Sequence, residues 1–202
     1  MHDIKIQKII AVDLYDSVDH AIDRALQLLK GKELYSKVFI GIDPGERPGL
    51  AIVGDDILIQ KTQVESPEQV LRMIKRFLKE FPADETTIRI GNGAILIRNR
   101  IINSLIPLEI PIEIVDETKT TPSQRLDRKE KDIEAAAAIA LLSGGKVQQK
   151  LPLEPTRGAV KDVQKYSRQL TGGRFSISKK AAREVLQGKI SLKEAIDKEK
   201  NS

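Results

Sequence analysis

The sequence predicts an α/β fold, a mixed sheet flanked by helices, with a small helical module at the C-terminal end. Three observations predict it. Apolar runs of strand length alternate with segments of helical spacing, the pattern of a sheet covered by helices. Val38–Gly54 reads as a β-hairpin, two apolar runs around a Pro/Gly-rich turn, so antiparallel strands stand beside parallel ones. After residue 150 the strand pattern gives way to short capped segments rich in Lys and Gly.

Residues 4–14 alternate loosely, as a strand does. Ser17 caps a helix over 18–29, with Asp19 in its first turn and Gly31 past its end. Residues 38–43 and 49–54 form the hairpin, Asp55-Asp56 turns the chain, and 57–63 make a third strand. Ser66-Pro67 starts a helix, with Ser as the cap. Its Val70, Leu71, Ile74, Phe77 and Leu78 share one face, and Pro82 closes it. Residues 87–90 are a short buried strand that ends in Gly91-Asn92-Gly93. A helix over 94–105 and a strand over 111–115 follow. The Ala-rich stretch 132–142 is a helix able to lie close against the sheet, and Gly144-Gly145 end it.

Pro152, Pro155 and Gly158 mark a linker. Helices over 160–170, 179–186 and 191–198 come next, the last two capped by Ser178 and Ser191 and all separated by Gly turns. In outline they resemble a helix-turn-helix module. Val163, Leu170, Ile177, Val185, Leu186, Ile190 and Ile196 are its expected core. The chain thus divides into a β-α extension (1–35), an α/β core (36–150) and a basic helical module (151–202).

Composition narrows the chemistry. Hydrophobic content of 40% and charged content of 31% describe a globular chain. There is no Cys, so disulfides and thiolate metal sites are excluded. The two His, His2 and His20, argue against a His-ligated zinc or a Ser-His-Asp triad. No apolar run reaches the roughly 20 residues of a membrane span, and the N-terminus lacks a signal-peptide pattern. A cytoplasmic protein with no membrane partner is expected. Residues 1–150 carry 22 Lys+Arg and 23 Asp+Glu, whereas 151–202 carry 12 and 6, so the whole basic excess sits in the tail. Such asymmetry points to an anionic partner, most often nucleic acid.

Carboxylates stand at the ends of elements. Asp43 ends the first hairpin strand, Asp116 and Glu117 end the 111–115 strand, and Asp132 and Glu134 open the Ala-rich helix. Ligands of α/β sheets bind beyond the carboxyl ends of parallel strands. Acids gathered there repel one another, and a divalent cation relieves the repulsion. Oxygen ligands select Mg²⁺ or Mn²⁺. An acid in a helix's first turn is also favoured by the macrodipole without further role, so Asp43 carries more weight than Asp132 or Glu134.

Ile-Asp-Pro-Gly at 42–45 followed by Gly-Leu-Ala-Ile-Val resembles the opening hairpin of the RuvC/YqgF group of RNase H-like nucleases. Val-Asp-Glu-Thr-Lys-Thr-Thr at 115–121 resembles the Asp-Glu-Arg…Thr-Thr stretch of the YqgF branch, and the Ala-rich helix resembles the family's final core helix. The resemblance covers residues 36–146. It implies an RNase H-like fold and a Mg²⁺- or Mn²⁺-dependent nuclease, Holliday junction resolvase-like or RNA-processing, acting on branched or duplex DNA or structured RNA. By position, Asp43 and Glu117 would be catalytic metal ligands with Asp116 beside them, joined by Asp132 or Glu134.

Two positions depart from the pattern. Asn92 stands on the strand where RuvC-type resolvases carry an acid, which the YqgF branch also lacks, and Thr118 replaces the Arg of Asp-Glu-Arg. Asn can still ligate through its carbonyl oxygen. A catalytically inactive binding or scaffold protein on the same core is the rival expectation. Actin-like ATPases open similarly, but this chain is too short for their two halves.

Lys119 and Arg125 lie near the expected scissile phosphate in sequence. Lys161, Lys165, Arg168, Arg174, Lys179, Lys180 and Arg183 supply the basic surface of the tail. Only Tyr166 and Phe175 are aromatic there, so contact through a duplex backbone is expected rather than base stacking. A two-fold junction substrate would suit a homodimer.

Overall fold

The structure, a computed structural model, describes residues 34–116 and 128–200 together with Val18, Ala21, Ile22 and Ala25, which are helical. The expected strand 4–14, the rest of the helix over 18–29, and Glu117, Lys119 and Arg125 lie outside the described residues.

β1 (Tyr35–Asp43), β2 (Gly49–Gly54) and β3 (Ile57–Gln63) form an antiparallel meander. The turn between β2 and β3 holds Asp55 and Asp56 at φ 47° and 68°. Asp tolerates this left-handed region because its short side chain bonds locally. Here Asp55 Oδ1 accepts the Ser36 and Lys37 N–H groups, each at 3.0 Å.

The chain then runs through α1 (Val70–Glu80), β4 (Ala83–Gly91), α2 (Ile95–Leu105), β5 (Ile112–Val115), α3 (Arg128–Leu141) and β6 (Gly145–Lys146). The sheet order is β3-β2-β1-β4-β5-β6, with β4 parallel to both β1 and β5 and β6 antiparallel to β5. The α/β expectation holds at this level: one mixed sheet flanked by helices.

Three details differ from the sequence reading. Ser66 makes no side-chain cap; Pro67–Gln69 form a 3₁₀ turn in which the Gln69 N–H bonds the Ser66 carbonyl at 3.1 Å, and α1 begins at Val70. β4 begins at Ala83, because its polar first half pairs in parallel with Tyr35–Val38 of β1, where exposed Lys37 and Glu85 lie 3.6 Å apart. The short β6 forms where helix-ending Gly145 was expected to leave a loop.

Strand alternation sorts the two faces of the sheet. Val38, Ile40 and Ile42 of β1 join Leu50, Ile52, Ile88 and Ile90 on one face. There they pack with Ile74 and Phe77 of α1 and Ile101, Ile102 and Leu105 of α2. Burying each such side chain contributes about 1.5–3 kcal/mol. Gly41, Ala51 and Gly49 leave the opposite face nearly bare over β1 and β2, and α3 packs there. A Cβ at Gly41 would stand 2.0 Å from the Ala136 carbonyl oxygen, and one at Gly49 2.2 Å from that of Asp132. The helix therefore rests on backbone, as its small Ala side chains allow.

α4 (Arg157–Leu170), α5 (Lys179–Leu186) and α6 (Leu192–Lys200) form the tail around Val160, Ile177, Ala182 and Ala195. Thr156 Oγ1 accepts the Ala159 N–H at 3.1 Å, so α4 starts at Arg157 and Gly158 belongs to the helix, not the linker. Ser178 caps α5 as expected. Leu170 is 56% exposed instead of buried, because it is the last residue of α4, past the turns whose Val160 and Val163 pack into this core. The connecting segments 171–178 and 187–191 are longer than the roughly 3–4-residue turn of a helix-turn-helix motif.

Two acids tie this module together. Glu194 and Ser191 cap α6 reciprocally, through Ser191 N–H to Oε2 at 2.6 Å and Glu194 N–H to Ser191 Oγ at 3.1 Å. Glu199 Oε1 accepts the Ser178 N–H at 2.8 Å, linking α6 to the start of α5. Hydrogen bonds from Ser191 hold the Glu194 carboxyl below its usual range, and those from Ser178 do the same for Glu199. A depressed carboxylate stabilises the fold above its unfolded pKa, about 4.3. That contribution disappears as pH falls through the lower folded value. The protection of the Ser178 and Ser191 amides, relative to intrinsic exchange at each pH, should therefore fall selectively as the pH drops below the ordinary carboxylate range, about 4.3. Unchanged protection down to pH 3 would contradict this.

The tail is bonded to α2. Asn103 exchanges two hydrogen bonds of 2.8 Å with the backbone of Leu151, and Asn99 Nδ2 donates to the Pro152 carbonyl at 2.9 Å. Gln187 Nε2 donates to the Leu153 carbonyl at 3.0 Å. Arg100 pairs with Glu68 and reaches the Leu186 carbonyl, the C-terminal end of α5, at 3.4 Å. Among the described residues no helix is long and apolar enough to cross a membrane.

Candidate active site

Sheet register builds the site. Asp43 at the end of β1 stands opposite Gly49 of β2, and Gly49 opposite Gln63 of β3. The missing side chain at position 49 admits the α3 backbone at Asp132. Asp132 is thereby seated above Gly49, in the row that Asp43 and Gln63 flank. Gln63 Nε2 donates to Asp132 Oδ2 at 3.0 Å and to the Arg47 carbonyl at 3.2 Å, fixing that carboxylate against the hairpin turn.

Asp43 and Asp132, far apart in sequence, share one open cleft of about 1110 Å³. The 44–47 turn, Gln63, Glu65, Ala94 and Ile97 complete its walls. Asp43 and Asp132 are half-buried, whereas Glu46 and Arg47 are exposed. Arg47 lies 3.4 Å from Glu65, and both project into solvent. Among the described residues the cleft is thus acid-rich, with one basic side chain, Arg47, at its rim.

The structure separates the two candidate acids of the helix. Glu134 pairs with Lys61 of β3 and does not line the cleft. Lys61 stands opposite Ala51, and Ala51 opposite Gly41, so Glu134 belongs to the next register row. Of the two alternatives that the sequence leaves for the helix acid, Asp132 lines the cleft with Asp43 and Glu134 does not. Asp116 is exposed just past the end of β5 and also does not line the cleft. β1, β4 and β5 are adjacent, which sets β5 roughly 10 Å from β1. Glu117, Lys119 and Arg125 lie outside the described residues.

Asn92, expected to offer a neutral ligand, is engaged elsewhere. Its side-chain oxygen accepts a hydrogen bond from Arg98 Nη1, which also reaches the Asn92 backbone carbonyl at 3.3 Å. Arg98 Nε and Nη2 donate to Asn99 Oδ1 at 3.1 and 2.9 Å. Burial pushes the Arg98 guanidinium below its usual pKa. The carboxyl end of β4 therefore presents a buried cation behind an amide.

Arg89 and Glu113 escaped the sequence reading. Arg89, buried on β4, lies 3.8 Å over the Phe39 ring and donates from Nη1 to the Ala140 carbonyl at 2.8 Å. Its Nε meets Glu113 Oε2 at 3.1 Å, and the Gly144 N–H approaches the same oxygen at 3.3 Å. The pair holds the C-terminal end of the helix whose first turns carry Asp132. Arg and Glu at partnered positions of two expected buried strands were the available signal. Gln63 carried none, since an amide at the end of a half-exposed strand is ordinary.

Among the described residues there is no group of three or more His, Cys, Asp or Glu placed to share a metal. Two carboxylates in one cleft still suit Mg²⁺, which keeps several waters and takes one or two protein carboxylates. Lys161, Lys165, Arg168, Arg174, Lys179, Lys180 and Arg183 are all exposed on the tail. Compared with known proteins, the chain matches no family model and no curated sequence.

Proposed function

We propose that this protein is a Mg²⁺-dependent nuclease with an RNase H-like core, acting on structured nucleic acid. The observation that carries the reading is the meeting of Asp43 and Asp132 in one open cleft at the carboxyl end of β1. The resemblance of 42–45, 115–121 and the Ala-rich helix to RuvC/YqgF nucleases names these same two elements as the bearers of metal-binding acids. An open, polar cleft suits a polymer better than the enclosed apolar pockets of small ligands.

In this reading Asp43 and Asp132 hold Mg²⁺, and Gln63 keeps the Asp132 carboxylate aimed into the cleft. A bound divalent ion supplies Lewis acidity to the phosphodiester and lowers the pKa of attacking water. Arg47 stands at the rim, where a phosphate would enter.

A specific observation favours a second reading, a binding protein on a silent nuclease core: Arg98 occupies the Asn92 amide at the strand end where resolvases carry an acid. Labelled four-way junction, duplex DNA and structured RNA, incubated with Mg²⁺ or Mn²⁺ and with chelator, separate the two. Metal-dependent cutting that disappears in Asp43→Asn supports the nuclease. Shifted bands without cutting, equal for both proteins, support the binding protein.

A further inference from the structure

We infer that one side of α4 is a phosphate-binding ridge that grips the backbone of a nucleic-acid duplex through Arg157, Lys161, Lys165 and Arg168. The inference rests on the preceding reading for its choice of polymer, but not on cleavage.

Geometry makes these four cations a unit. At 100° per residue they fall within an arc of about 80° and extend about 16 Å along the helix. All four are exposed. None has an acidic partner among the described residues. The one acid of the helix, Asp162, lies outside that arc. Duplex DNA carries one phosphate per strand for every 3.4 Å of its axis, so a ridge of about 16 Å covers a length of duplex that holds about five phosphates on each strand.

Charge order along the helices separates binding from mere solvation. Charges that serve stability place acids in a helix's first turn and bases in its last. α6 follows this at both ends, with Glu194 in its first turn and Lys198 and Lys200 in its last, and its charges balance. α4 and α5 follow it only at their C-terminal ends, where Arg168 and Arg183 lie; neither has an acid in its first turn, and Arg157 opens α4 while Lys179 and Lys180 open α5. Cations set against the helix dipole cost stability, and an anionic partner supplies the compensation.

The apolar face of α4, around Val160, is already packed against α5 and α6, so it has no free face to lay into a lipid surface. Exposed Tyr166 and Leu170 point away from the centre of the cationic arc, by about 140° and 180°. A phosphodiester backbone is therefore favoured over a membrane. Basic α4, rather than charge-balanced α6, makes the contact, so recognition follows backbone shape and not base sequence.

The test uses the full chain carrying Asp43→Asn, in chelator, so that cutting does not enter. Its binding to a 5′-labelled 30-base-pair duplex is followed by anisotropy from 50 to 200 mM salt. Replacing Arg157, Lys161, Lys165 and Arg168 by Gln should reduce the slope of log K against log[salt] by about 3–4. Lys161→Arg with Lys165→Arg should keep the wild-type slope. Lys193→Gln with Lys200→Gln on α6 should also keep it. An unchanged slope in the four-Gln chain, or an equal loss in the α6 variant, overturns the ridge while leaving the nuclease reading standing. Binding to anionic vesicles but not to duplex overturns it in favour of a membrane. Ridge-dependent binding in a protein whose unmutated form never cuts would sink the nuclease reading alone.

Discussion

Asp132→Asn is expected to eliminate metal-dependent cleavage, and Glu134→Gln, two residues along the same helix, to leave it unchanged. The two acids are alike in sequence, each near the start of an Ala-rich helix. Only register distinguishes them. Asp132 sits over Gly49 beside Asp43 and is held by Gln63, whereas Glu134 lies over the next row and pairs with Lys61. Removing a ligand carboxylate should cost more than the roughly 100-fold that loss of an outer-shell partner brings to a metal site. Gln63→Leu, which removes such a partner, should fall between. Glu134→Gln gives up a half-exposed ion pair, worth about 0–1 kcal/mol. Initial rates at saturating Mg²⁺, with Mg²⁺ titrations for each variant, read all three. Equal loss in both helix variants would show that the cleft is not organised around Asp132.

Gly41→Ala is expected to destabilise the fold by about 3 kcal/mol, the upper end of ordinary overpacking costs. The new methyl would meet the Ala136 carbonyl at 2.0 Å, the Ala140 nitrogen at 2.7 Å and the Ala140 Cβ at 2.8 Å. Backbone atoms cannot rotate aside, so α3 must lift. The thermal midpoint should drop by roughly 6–12 °C. Gly145→Ala is the control, since nothing lies within 4 Å of its would-be Cβ. If Gly41→Ala melts with the wild type, α3 is not seated on bare backbone.

Much of the architecture could be read from residue pattern because local chemistry and tertiary context agree. The hairpin around Asp43 and the Ser178 cap are examples: a strand ends where Pro and Gly begin, and a hydroxyl precedes a run of helix formers. The first half of β4 was hidden because it extends beyond the buried part of the sheet, where Asp84 and Glu85 face water. Leu170 misled because it shares the face of packed Val163 but stands at the helix end, where that face is no longer covered. The site was half legible. Asp43 announced itself as a carboxylate at the end of an apolar strand, but the choice between Asp132 and Glu134 needed three-dimensional register. The engagement of Asn92 by Arg98 joins two residues whose pairing no spacing rule announces. Arg89 bonding to the far end of α3 depends on a crossover between distant segments.

The hydrogen bonds from Asn99, Asn103 and Gln187 to residues 151–153, together with the reach of Arg100 to Leu186, have a mechanical consequence. A tethered tail on a flexible chain would search a volume set by linker length and present whatever it holds at an effective concentration. A tail fastened along its connector searches nothing. The helix that fastens it, α2, also lends Ile97 to the wall of the cleft. A strand resting on both parts would be measured by the protein as by a ruler, and its cut would fall at a constant number of nucleotides from the stretch that is held.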